Sequence, residues 1–242
     1  MNRRAQAVIM LLFGGTIVKV SLTGVYLRYV KEGLRPFLVV AGLILVAAAV
    51  MTLWHEWRKP SASKQHDNGH DDGHGHAHEP WVGWLMMLPA LALLLMAPPA
   101  LGSYAAGQAG TISASKLSDS DAPPLPPGDV VPLSLLEYAS RSLYDGGKSL
   151  AGRKVRLVGF ITPGADGKPM LARIIMSCCA ADGRPIKVGL AGDVPSAAPD
   201  TWVEVVGRYT ATTSKDPVND ADIPYLEVAS WTQTATPEKP YQ

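Results

Sequence analysis

Three apolar runs crowd the first 101 residues: about Ala5 to Leu27, Pro36 to Trp54, and Trp81 to Leu101. The hydrocarbon core of a bilayer takes about 20 helical residues, and its interior offers no water to an unpaired backbone. Each run is close to that length, so residues 1–101 predict a membrane region of three transmembrane helices. Trp54, Trp57, Trp81 and Trp84 flank the runs, as expected of a ring that is apolar but carries one polar N–H. Gly14, Gly15 and Gly24 give the first run room for close helix packing. Its one charge is Lys19, which would cost about 2.5–3.5 kcal/mol at a helix centre on insertion scales. The lysine either stretches its stem to the interface or faces a partner helix or polar path. No small-residue cleavage site follows the first run, and the second begins within ten residues. An uncleaved, multi-pass chain in a bacterial cell membrane is therefore expected.

Orientation follows from the basic residues near the helix ends. With the N-terminus inside, Arg3, Arg4, Arg58, Lys59 and Lys64 are cytoplasmic, and Arg28, Lys31, Arg35 and Lys116 are outside. That count, five against four, places the C-terminal domain in the extracytoplasmic space. Across the whole chain the charge is nearly balanced, with 22 basic and 21 acidic residues, so no basic footprint points to nucleic acid.

Between the second and third runs, residues 58–80 form a histidine-rich loop. His66, His70, His74, His76 and His78 fall within thirteen positions, among Asp67, Asp71, Asp72, Glu79 and several glycines. Neutral imidazole suits zinc and other transition metals, and a glycine-rich loop can wrap several imidazoles around one ion. The spacing is not that of a closed structural zinc site. The alternatives are a pH-responsive loop and a plain solvated one.

Residues 102–131 are rich in Gly, Ala, Ser and Pro and predict a linker, stiffest at Ala122-Pro123-Pro124-Leu125-Pro126-Pro127. Residues 132–242 predict a soluble domain. Leu135, Leu136, Ala139 and Leu143 recur at helical spacing behind Ser134, a capping residue, and Asp145-Gly146-Gly147 ends the helix. Five short strands follow: Lys154–Thr162, Met170–Ser177, Pro185–Leu190, Trp202–Thr210 and Tyr225–Thr234. The expected fold is a small all-β, OB-like barrel with a short preceding helix. Its strands lack the row of aromatic residues that base stacking needs.

The two cysteines of the chain, Cys178 and Cys179, stand side by side after the second strand, with Asp182 close behind. Neighbours on a continuing strand point to opposite faces, so one thiol would face the core unless the backbone bends after Ser177. Three readings stand: packing as small apolar groups, soft-metal coordination with Asp182 or a partner adding ligands, and thiol redox chemistry. No histidine lies beyond His78. The soluble domain therefore has no Ser-His or Cys-His pair, and with no phosphate-binding glycine loop either, an enzyme is not expected.

The layout resembles the YcgQ-like bacterial membrane proteins, an uncharacterised family described as one subunit of a two-component permease. The matching pieces are the hydrophobic pair with Gly24 and Tyr29, and the histidine loop before another hydrophobic run. In the C-terminal module they are Ala172-Arg173-Ile174-Ile175-Met176-Ser177-Cys178-Cys179-Ala180-Ala181-Asp182, Trp202-Val203-Glu204-Val205-Val206-Gly207 and Pro237-Glu238-Lys239-Pro240-Tyr241. Family members often carry cysteine in the histidine loop, and this chain has none there. The resemblance implies a larger membrane permease as partner and a metal ion or small solute as cargo, and it supplies no catalytic residues.

Overall fold

The computed structural model describes residues 3–58, 100–113 and 124–242. They fall into two compact units: one of residues 1–26 and 31–99, the other of residues 27–30 and 100–242.

The described part of the first unit is a helix pair, α1 (Arg3–Leu22) and α2 (Arg35–Arg58). The two backbones touch at glycine. A Cβ on Gly14 would lie 2.9 Å from the Gly42 carbonyl oxygen, and one on Gly42 would lie 2.8 Å from Val18. Hydroxyls that would be orphaned in lipid fold back on their own helix: Thr16 donates to the Leu12 carbonyl at 2.6 Å and Ser21 to the Ile17 carbonyl at 2.7 Å. Arg35 donates through Nε to the Ser21 carbonyl at 3.2 Å.

Among the described residues one helix, Glu32–Arg58, is long and apolar enough to cross a membrane. This corrects the expectation of three. The apolar part of α1 is limited to Gln6–Leu22, because the helix stops five residues short of Leu27 and Lys19 sits in its last turn. A lysine so close to a helix end can reach the interface along its own stem. The third run, apart from Ala100 and Leu101, lies outside the described residues, as does the histidine loop from Lys59 onward. Helix α2 is apolar all round, and Phe37, Ile44 and Met51 are each more than 60 % exposed.

The second unit is built on a six-stranded sheet that closes on itself. Its strands are β1 (Val130–Pro132), β2 (Lys154–Pro163), β3 (Pro169–Ile175), β4 (Arg184–Gly192), β5 (Trp202–Lys215) and β6 (Asp222–Gln233). The order is β1-β2-β3-β4-β6-β5, and β5 returns to pair with β2. Strands β2 to β6 thus make a five-stranded barrel, with β1 added in parallel outside β2. The β4–β6 pair is parallel, and the other four barrel pairings are antiparallel. Alternate residues of β2 and β5, including Val155, Leu157, Val203 and Val205, point inward and are fully buried. The five-stranded closure and the preceding helix are consistent with an OB-like barrel.

That helix is α4 (Leu135–Tyr144), started by Ser134, whose hydroxyl accepts from the Glu137 N–H at 3.0 Å. Leu135, Tyr138 and Ala139 join the barrel core, and the Tyr138 hydroxyl donates to the Tyr225 carbonyl at 2.6 Å.

Part of the stretch read as linker is folded into the barrel unit. Helix α3 (Ser103–Gln108) is held at its start by Asp200, which accepts from the Ser103 N–H at 2.6 Å and from its hydroxyl at 2.7 Å. Beyond it, the Thr111 N–H donates to Asp216 at 2.9 Å, and the Ile112 N–H donates to the Pro185 carbonyl at 2.8 Å. Lys187 completes the anchor, donating to Asp216 at 2.9 Å and to the Ala109 carbonyl at 3.1 Å. Residues 114–123 lie outside the described residues.

Candidate metal centre

Strand β3 ends at Ile175, two residues before the predicted end at Ser177. From there Gln242 takes up the pairing: its N–H donates to the Ile174 carbonyl at 3.0 Å, and its carbonyl accepts from the Met176 N–H at 3.1 Å. The chain then turns sharply around one carboxylate. Asp182 accepts from the Ser177 N–H at 2.9 Å, the Cys178 N–H at 2.7 Å and, more weakly, the Cys179 N–H at 3.4 Å. A 3-10 turn over Ala180–Asp182 closes the loop. The bend that metal or redox chemistry would need after Ser177 is therefore present.

Because the chain bends, the thiols are not divided between two faces. The Cys178 and Cys179 sulfurs lie 3.6 Å apart. Both sulfurs and an Asp182 oxygen fall within 4.8 Å of one another, with Cys178 exposed and Cys179 half-buried. Both cysteines are free.

The electrostatics follow from crowding of acceptors. Asp182 beside it, then the Cys179 thiol, push the Cys178 thiol up to about 12, so it keeps its proton at neutral pH. The Cys178 thiol and the three backbone N–H groups hold the Asp182 carboxyl down at about 2. A carboxylate offers about four lone-pair positions. Three backbone donors use three of them, so Asp182 has one position to give. A cation arriving between the sulfurs would displace the Cys178 thiol proton and take that remaining lone pair. The chemistry of the donor set, two sulfurs and one singly available oxygen, fits zinc or a similar borderline-to-soft ion.

Sequence reading missed the rest of the site's frame. Cys179 forms an antiparallel β-bridge with Val30, and the Ala180 N–H donates to the Tyr29 carbonyl at 2.7 Å. The Tyr241 hydroxyl donates to the Arg28 carbonyl at 2.9 Å and accepts from the Leu101 N–H at 2.8 Å. Residues 27–30, which lie between two apolar helices in the chain, are thus built into the barrel unit at the cysteine turn. No spacing rule connects positions 30, 179 and 241, so nothing local could have signalled this. The five loop histidines, His66 to His78, lie outside the described residues.

No curated protein and no solved structure matches the chain. Family models do match it: the DUF1980 N-terminal domain over residues 5–112 and the DUF1980 C-terminal domain over residues 137–242. The chain carries both domains of DUF1980, an uncharacterised family, and belongs to it.

Proposed function

We propose that this protein is a membrane-anchored capture subunit for a transition-metal ion, zinc or one of similar softness, working beside a larger membrane permease. The observation that carries this reading is the convergence of Cys178, Cys179 and Asp182 within 4.8 Å. Two sulfurs bound to one tetrahedral ion through bonds of about 2.3 Å would stand about 3.8 Å apart. The separation of 3.6 Å is close to that, whereas a linear two-sulfur site with the same bonds would need about 4.6 Å. Asp182 supplies a third ligand, and a fourth vertex is left for water or for a group on the permease.

The membrane reading is supported by α2, which is apolar on every side yet exposed, the pattern of a helix that faces lipid. If α2 crosses, residues 27–30 lie at its starting side, and the barrel bonded to them lies there too. On this reading the barrel is extracytoplasmic, and the histidine loop, which follows the other end of α2 in the chain, is a second metal-contacting element inside. The two described helices pack directly against each other at Gly14 and Gly42, and transport is assigned to the permease. No chemical conversion is proposed.

The test uses the full chain in detergent, freed of metal and titrated with cobalt or cadmium while sulfur-to-metal charge-transfer absorption is followed. The charge-transfer signal should saturate at one ion per chain. The signal should vanish in the Cys178→Ser, Cys179→Ser double variant and survive deletion of residues 64–79. Failure of the absorption to appear, or its survival without the cysteines, rejects the site. Crosslinking in native membranes tests the partner, and recovery of this chain alone counts against the permease.

A further inference from the structure

The segment bonded to the cysteine turn is the short connection that joins α1 to α2 in the chain. Three contacts hold residues 27–30 to the barrel. Val30 bridges Cys179 itself, Tyr29 accepts from Ala180 next to it, and Arg28 accepts from Tyr241. Two of the three therefore land on one of the candidate ligands or its immediate neighbour. The backbone of Cys179 is fixed from one direction by Val30, and its sulfur would be fixed from the other by a cation.

We propose that cation capture at Cys178 and Cys179 and docking of residues 27–30 onto the turn are coupled, so that occupancy of the site is read at the connection between the two apolar helices. This rests on the metal reading above. The physical cause is shared ordering. Ser177 and Cys178 are exposed and Cys179 is half-buried, and the freedom such a turn retains is lost when either a cation or the segment fixes it. Whichever binds first bears that loss, and the second binds more tightly. Coupling of this kind is reciprocal by necessity: if metal tightens the segment, the segment tightens metal by the same factor. Tyr241 is the handle on this equilibrium. It bonds the segment and the start of α3's lead-in at Leu101, and it is not one of the candidate ligands.

Hydrogen exchange on the full chain in detergent, with and without cadmium, tests the proposal. The informative peptide spans residues 24–31, which holds none of the candidate ligands. Its exchange should slow several-fold on cadmium binding. In Tyr241→Phe, which loses the bonds to Arg28 and from Leu101, cadmium should still bind at the sulfurs but about three- to tenfold more weakly, the range of the one bond that reaches the segment. Cadmium binding with unchanged exchange over residues 24–31 overturns the coupling and leaves the metal site standing. An unchanged affinity in a folded Tyr241→Phe does the same. Should that variant fail to fold, the wild-type exchange result decides alone. No cadmium binding at all overturns both the coupling and the site.

Discussion

Asp182 does at the scale of one residue what the surrounding sequence could not advertise. Ser177-Cys178-Cys179 follows an apolar strand and by pattern should continue it, which would part the thiols. Three N–H groups donating to one carboxylate turn the backbone instead. The cysteines and Asp182 were legible as candidates by residue type, but their convergence was not, because it depends on where one side chain's oxygens point. Asp182→Asn should lower the acidity barrier on its neighbour. With the carboxylate hydrogen-bond acceptor replaced and its charge gone, the Cys178 thiol falls back from about 12 towards its ordinary range. Peptide mapping should then show faster alkylation of Cys178 at pH 8 than in the parent chain. The sign for Asp182 itself runs the other way. Its folded value near 2 lies below the ordinary 3.8, so its contribution is present above pH 3.8 and is lost as pH falls through 2. Carboxyl resonances followed by NMR should put its midpoint near pH 2, and a midpoint near 4 would mean the turn is not formed in solution.

Among the elements, those with a local period were readable and those with distant anchors were not. Helix α4 has its spacing and its Ser134 cap within ten residues, and it stands where the pattern placed it. Helix α3 is six residues long and lies in a stretch with linker composition. Its supports, Asp200 and the Lys187–Asp216 pair, lie about a hundred positions away in sequence. Strand β5 runs on to Lys215 through the polar stretch Ala211-Thr212-Thr213-Ser214, which carries no hydrophobic alternation to signal it. The Lys187 and Asp216 side chains are 7 % and 0 % exposed. Removing one partner of such a pair leaves a buried charge, so Lys187→Met should destabilise the barrel by about 3–5 kcal/mol, read as a lowered denaturant midpoint. Gly207 is constrained differently. A Cβ there would lie 2.3 Å from the Glu227 carbonyl oxygen at an irregular step in the β5–β6 ladder. Gly207→Ala should cost about 1–3 kcal/mol through forced backbone movement, with no loss of metal stoichiometry in the folded fraction.

For the whole molecule, hydropathy and alternation are properties of long windows, and they separate an apolar N-terminal part of the sequence from a β-rich C-terminal part. What it could not convey is that four residues of the first part belong structurally to the second. Sidedness is testable with three substitutions, because Cys178 and Cys179 are the only cysteines in the chain. A membrane-impermeant maleimide applied to intact cells should label the parent chain. With both native cysteines replaced by serine, Ser61→Cys should label only after the membrane is permeabilised. The reverse pattern would invert the orientation, and labelling of both sites from outside would mean that α2 does not cross.

The bridge from Val30 to Cys179 also sets a clock on assembly. The two positions are separated by 149 residues, so at about 5–20 residues per second Val30 waits roughly 7–30 s on the ribosome for its partner. During that interval the connection between α1 and α2 has been made and the turn has not. The cysteine pair therefore emerges after the α1–α2 connection but before β4, β5 and β6, so the barrel closes only after Val30 and Cys179 are both available to pair.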